Sequence, residues 1–194
     1  MVAMQVELYT DGSCLHNPGA GGWAYIVRYW DTPEGSDMPQ AQEIECSQGY
    51  RLSTNNRMEI MGAVFGIRKI IELVQSDPTW AQVSQINVMS DSEYFCNAIN
   101  QRWIQKWSEN NWMTSGFGGR QPKPVKNKDL WEDVVQLQNI LREVNINMTV
   151  NWVKGHNGNE FNERCDKLAV GASSGTNHIK DEVYEQTTAG YNRK

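Results

Sequence analysis

Four carboxylates stand where elements of structure should begin or end: Asp11, Glu59, Asp91 and Asp166. Asp11 and Asp91 each follow a short run of strand-like residues. If those strands are parallel neighbours, both side chains reach the carboxyl edge of one sheet, where open α/β sheets bind ligands. Glu59 lies one turn into a helical pattern that must pack across the same sheet, and Asp166 lies in the last helical pattern. Such a gathering of like charges is unfavourable unless cations compensate it. All-oxygen ligands with neither His nor Cys favour magnesium or manganese. Taken singly, each residue has a plainer role. Asp11-Gly12 is a turn signal, Asp91 and the pair Asn55-Asn56 are helix caps, Glu59 and Asp166 are solvated helix acids, and His156 is a surface residue in the glycine-rich loop Lys154 to Asn159. Their joint occurrence points to metal-assisted chemistry.

The elements that must carry these residues are legible in the periodicity. Met4 to Thr10 alternates as a strand and runs into Asp11-Gly12-Ser13, which predicts an exposed Asp at the strand's end. Trp23 to Trp30 gives a second strand, and Ile44, Cys46, Tyr50 and Leu52 alternate through a third. Between them, Asp31 to Gln40 carries Pro33, Gly35, Ser36 and Pro39, as a hairpin loop does. From Asn56 to Val74, the residues Ile60, Val64, Ile67, Ile71 and Val74 form the stripe of an amphipathic helix. Gln85 to Ser90 predicts a fourth strand, followed by a helix with Tyr94, Phe95, Ala98 and Ile99. Leu130, Val134, Leu137 and Leu141 mark another helix, Met148 to Val153 a last strand, and Glu160 to Ala172 a last helix. The order predicts one mixed sheet flanked by helices. Residues 173–194 read as a polar, loosely held tail after a single domain of residues 1–172.

A chain of 194 residues can bury a full core without disulfides or a structural metal. The four cysteines, Cys14, Cys46, Cys96 and Cys165, show no zinc-ligand spacing and read as reduced thiols. The longest apolar run, Ile60 to Ile67, falls far short of the roughly 18–20 residues of a membrane span. Met1 to Thr10 lacks the basic flank and apolar block of a secretory signal, so a cytoplasmic protein is expected; no protein partner is implied, and a monomer is the expectation. The net charge of −5 speaks against a nucleic-acid partner until its distribution is considered. Gln101 to Lys128 holds Arg102, Lys106, Arg120, Lys123, Lys126 and Lys128 against Glu109 alone, a local surplus of +5. Trp103, Trp107, Trp112 and Phe117 are interleaved with it, a composition suited to phosphates and base faces as well as to helix packing.

Five blocks in order resemble the bacterial-type ribonuclease H family: Tyr9-Thr10-Asp11-Gly12-Ser13-Cys14 with Asn17-Pro18-Gly19; Thr54-Asn55-Asn56-Arg57-Met58-Glu59; Asp91-Ser92-Glu93-Tyr94; Trp152-Val153-Lys154-Gly155-His156; and Asn162 to Asp166. Lys123-Pro124-Val125-Lys126-Asn127 adds to the match. The resemblance implies an α/β ribonuclease H-like fold with a five-stranded mixed sheet, its first three strands antiparallel, and a tryptophan-rich basic handle. It implies a nuclease, a hydrolase of phosphodiester bonds, that cleaves the RNA strand of RNA–DNA hybrids to 5'-phosphate and 3'-hydroxyl ends. Asp11, Glu59, Asp91 and Asp166 would hold two Mg2+ ions, with Mn2+ a possible substitute, and His156 would assist proton movement or product release. Cys14, Asn17, Asn55, Asn56 and Glu93 would meet the RNA strand's minor groove. Thr54 and Asn127 would grip a phosphate of the DNA strand, and Trp103 and Trp107 would lie on the handle helix.

The chain departs from that pattern in the handle, where Ser108-Glu109-Asn110-Asn111 replaces lysines and Ser115 to Arg120 lengthens a loop. His16 and Leu52 also differ, and Asp31 to Glu43 extends a hairpin. The alternative reading is a module of the same fold that binds hybrid without cutting it. The complete set of four acids argues for the enzyme.

Overall fold

The computed structural model describes residues 4–31, 38–116 and 121–191. Three strands open the chain: β1 (Met4–Cys14), β2 (Gly19–Asp31) and β3 (Gln40–Ser53). They pair antiparallel in sequence order, as the alternation predicts. Helix α1 (Asn55–Ser76) crosses to β4 (Val83–Ser90) through a short 3-10 turn, and β4 lies parallel beside β1. Then come α2 (Glu93–Asn100), α3 (Trp103–Glu109), α4 (Lys128–Glu143), β5 (Asn147–Trp152) and α5 (Glu160–Ser174). The last elements are β6 (His178–Ile179) and α6 (Glu182–Tyr191). The sheet order is β5-β4-β1-β2-β3-β6. No helix of the described residues is long and apolar enough to cross a membrane.

The hydrophobic core lies in two unequal layers. On one face, Val6, Leu8, Ile86 and Val88 meet Ile60, Val64, Ile67 and Trp131 in the large core under α1 and α4. On the other, α5 sets Cys165 and Ala169 over Tyr9, Ala24 and Ile26. The sheet therefore receives α1 and α5 on opposite faces.

Four sequence expectations need correction. The first strand does not stop at Thr10: the ladder with β2 continues through Asp11↔Ala24 to Cys14↔Gly21. Asp11 is consequently buried, at 4% exposure. Gly12 serves close packing, because a Cβ there would stand 2.2 Å from the Glu59 backbone nitrogen. Second, before α1 the cap is the neighbour of the Asn55-Asn56 pair expected, and of the pair Asp91-Ser92 that could cap α2 it is Ser92 and not Asp91. Thr54 caps α1 through Arg57 N, and Ser92 caps α2 through Phe95 N, which leaves Asn55, Asn56 and Asp91 for other contacts. Third, the sheet has six strands, because His178 and Ile179 pair with Gly49 and Tyr50.

Fourth, the described residues after Ser173 are fastened rather than loose. Asp181, 2% exposed, accepts from Arg57 Nε at 2.7 Å and Nη2 at 3.0 Å and from Ser53 Oγ at 2.7 Å. Arg57 also forms a two-pronged pair with Asp129 at 3.0 and 2.7 Å. A buried guanidinium needs partners on all sides, and residues far apart in sequence supply them. Pro33, Gly35 and Ser36 of the expected hairpin loop, and Phe117, Gly118, Gly119 and Arg120 of the expected handle, lie outside the described residues.

Candidate active site

The register between β1 and β4 runs to Thr10↔Ser90, so Asp11 and Asp91 each follow the last paired residue of adjacent parallel strands. Glu59 arrives from α1, whose start is pressed onto Gly12. Carboxylate oxygens of Asp11, Glu59 and Asp91 all lie within 4.8 Å of one another. Asp166 is outside this triad. It is half-buried on α5, and its negative charge reaches Asp11 from the opposite face of the sheet.

Few protein groups compensate these charges. Asp11 Oδ1 accepts from Gly12 N at 2.7 Å, and Glu59 Oε1 accepts from Asn55 Nδ2 at 3.3 Å. Glu59 Oε2 is buried with no partner among the described residues. Burial, then the charge of Asp91, pushes the Asp11 carboxyl from 3.8 up to about 8. Burial and the Asp11 charge push Glu59 well above its ordinary range. Burial followed by the Glu59 charge lifts the nearby Cys14 thiol to about 11, so it stays protonated at neutral pH. An orphaned buried carboxylate oxygen within a cluster of like charges fits a divalent cation, whose hard character matches oxygen donors.

The remaining expected residues fall around this centre or along a separate rim. Asn17 Oδ1 accepts from Asn55 N at 3.2 Å, so the loop after β1 docks on the start of α1. Asn56 and Glu93 are exposed at the first turns of α1 and α2, and Cys14 is half-buried. Thr54 Oγ1 accepts from Arg57 N at 3.4 Å. Asn127, with φ of 60°, precedes α4. The Arg57–Asp129 pair bridges the starts of these two helices. His156 is exposed in the loop between β5 and α5, with left-handed backbone at φ of 51°.

Trp103 and Trp107 sit one turn apart on α3 with ring centroids 6.0 Å apart. Trp107 packs in turn on the buried Trp131 at 5.9 Å. The handle continues as a narrow ribbon, in which Val125 N donates to Trp112 O and Thr114 N to Lys123 O. Lys123 and Lys126 are exposed on it.

Two contacts escape sequence reasoning. Trp152 Nε1 donates to the Asp91 carbonyl at 3.0 Å, and Asn162 Nδ2 donates to Asp91 Oδ2 at 3.3 Å. For Asn162 a signal existed: it lies four residues before Asp166, on the same helical face.

Comparison with known proteins agrees with this geometry. The ribonuclease H family model matches residues 3–174. A ribonuclease H of Aeromonas salmonicida is 41% identical over 180 residues, covering 93% of this chain and 97% of that protein. A ribonuclease HI of Synechocystis is 37% identical over 179 residues, covering 92% and 94%. Among solved structures, LC9-RNase H1, described as a type 1 RNase H with the type 2 active-site motif, superposes with a TM-score of 0.67 at 25% identity, covering 97% of this chain and 82% of that one. With the antiparallel opening strands, the helix on each face and the acidic triad at the β1–β4 edge, these matches establish that the chain belongs to the ribonuclease H family.

Proposed function

We propose that this protein is an endoribonuclease that hydrolyses the RNA strand of RNA–DNA hybrids. The observation that carries this reading is the buried, uncompensated triad of Asp11, Glu59 and Asp91 at the sheet edge of a ribonuclease H family member. A further support is LC11-RNase H1, which shares the fold with a TM-score of 0.53 at 21% identity and whose structure is of a complex with an RNA/DNA hybrid.

Asp11, Glu59, Asp91 and Asp166 would hold two divalent cations, magnesium or manganese, which would supply a bound water of lowered pKa and stabilise the attacking and leaving oxygens. Asn55 keeps Glu59 turned into the cluster, and Gly12 lets α1 approach closely enough to deliver it. His156, exposed on the loop between β5 and α5, offers an imidazole that would pass protons during the reaction. Cys14, Asn17, Asn55, Asn56 and Glu93 would meet the 2'-hydroxyls of the RNA strand, the groups that distinguish RNA from DNA. Thr54 and Asn127, at the starts of two helices joined by an ion pair, suit a DNA-strand phosphate. Trp103 and Trp107, with Lys123 and Lys126 beyond, extend the contact along the duplex.

The test uses end-labelled RNA–DNA hybrid, duplex RNA, single-stranded RNA and duplex DNA, each with magnesium or chelator, and compares wild type with Asp11→Asn. The expected result is cleavage of the hybrid's RNA strand alone, abolished by chelator and by the substitution. Hybrid that is bound yet stays intact with either magnesium or manganese overturns the catalytic reading in favour of a binding module.

A further inference from the structure

Asp91 is the least anchored member of the triad by position. It stands between the end of β4 and the start of α2, in neither element. Its main chain is held by the indole of Trp152, but that bond leaves the carboxylate free to rotate. Two features restrict the rotation. Gly155 faces Asp91 Oδ2 so closely that a Cβ there would lie 2.6 Å away. Asn162, 2% exposed in the first turn of α5, donates its Nδ2 to the same oxygen at 3.3 Å.

The Asn162 backbone is fixed independently, because its N–H donates to the Asn159 cap at 3.0 Å. The amide can present only its nitrogen to the carboxylate, since the reversed amide would set oxygen against oxygen. Its Oδ1 is buried with no partner among the described residues. A buried acceptor without a donor is unfavourable, and a water carried on a bound cation is a donor that would complete it.

We propose that Asn162 is a positioning residue for the metal centre, holding Asp91 in the rotation that completes the triad. An amide suits this task better than a lysine or arginine. It donates to the carboxylate without bringing a positive charge that would compete with the cation. The inference rests on the functional reading only in assigning Asp91 to a metal site. Partners in this position commonly change metal affinity or activity by about 10- to 100-fold when removed.

The test measures Mg2+ and Mn2+ binding to the full chain by calorimetry without substrate, alongside the Tm of the metal-free protein. Wild type is compared with Asn162→Ala and with Asn162→Leu, which fills the buried volume but cannot donate. The expected result is a Kd at least about tenfold weaker in both variants, with hybrid binding in chelator unchanged. A purely structural role would shift the metal-free Tm and leave the Kd alone. An unchanged Kd in either folded variant overturns the proposal, as does a wild-type chain that takes up neither cation. Wild type that fails to cleave hybrid but shows the weakened Kd in the variants would sink the nuclease reading and leave the role of Asn162 standing.

Discussion

Asp11 and Asp91 occupy equivalent positions on adjacent parallel strands, each one residue beyond the Thr10↔Ser90 pair. Their repulsion is thus built into the register of the sheet. Asp11 is locked into the β1–β2 ladder opposite Ala24 and Asp91 follows directly on the end of β4, so the folded chain carries an electrostatic load until a cation arrives.

Removing part of that load should stabilise the metal-free protein. Asp11→Asn keeps the shape and the acceptor for Gly12 N but abolishes the charge. In chelator its Tm is expected to rise by at least about 2–4 °C, the shift that about 1 kcal/mol makes in a chain of this size. Activity is expected to be lost in the same variant. Calorimetric scans of both proteins check this, and a fall in Tm would mean that Asp11 is compensated by groups within the protein.

The same load sets a pH dependence. The folded carboxyl of Asp11 is raised from 3.8 to about 8, so between those values the native state binds more protons than the unfolded chain. Stability of the metal-free protein therefore falls as pH rises from about 4 to about 8 and levels off above that. Glu59, raised in the same direction by burial, adds to the slope. Urea unfolding at pH 5 and pH 8 in chelator should show the loss, and saturating magnesium should reduce it.

His156 stands exposed on its loop. His156→Ala is expected to leave the KM for hybrid within about twofold while lowering kcat tenfold or more, within reach of the effects of proton-transferring side chains. Steady-state kinetics at saturating magnesium decide it. Unchanged kcat would remove His156 from the mechanism.

Arg57 should be among the largest single contributors to stability outside the apolar core. Its guanidinium is 3% exposed and ties α1 to Asp129 on α4 and Asp181 before α6. Arg57→Ala leaves the buried Asp181 carboxylate without its cation and is expected to destabilise by about 3–5 kcal/mol. Asp181→Asn, which keeps one acceptor, should cost about 1–3 kcal/mol. Denaturant unfolding measures both. A loss near zero for Asp181→Asn would mean that the C-terminal segment is not fastened in solution.

The described part of the handle carries the uncharged Ser108, Asn110 and Asn111 and the acidic Glu109 after Trp107, so hybrid binding should depend weakly on salt. Each phosphate neutralised contributes about 0.9 to the slope of log K against log salt in duplex DNA. Lys123→Ala and Lys126→Ala should each lower the slope by up to about that amount, with kcat at saturation unchanged. Fluorescence titrations in chelator at several salt concentrations test this. Loss of affinity without a change in slope would place these lysines away from the backbone.

The pattern of the chain was sufficient for the order of the first five strands, the main amphipathic helices and the three acids that come together at the sheet edge, because periodicity and turn chemistry are local. It was also sufficient for the family, since five separate blocks keep their residues and order. Local signals misled where a longer-range contact overrode them. Asp11-Gly12 reads as a turn, yet the β1–β2 ladder runs through it and Gly12 makes room for α1. The tail reads as polar and loose, but a buried arginine 124 residues away required an acid. Burial of Glu59, the orphaning of its Oε2 and the grip of Asn162 on Asp91 arise only when α1, the end of β4 and α5 meet. Sequence records which residues can hold a cation or donate a hydrogen bond. Packing decides which of them lose their water, and it is that loss which turns ordinary carboxylates into a site.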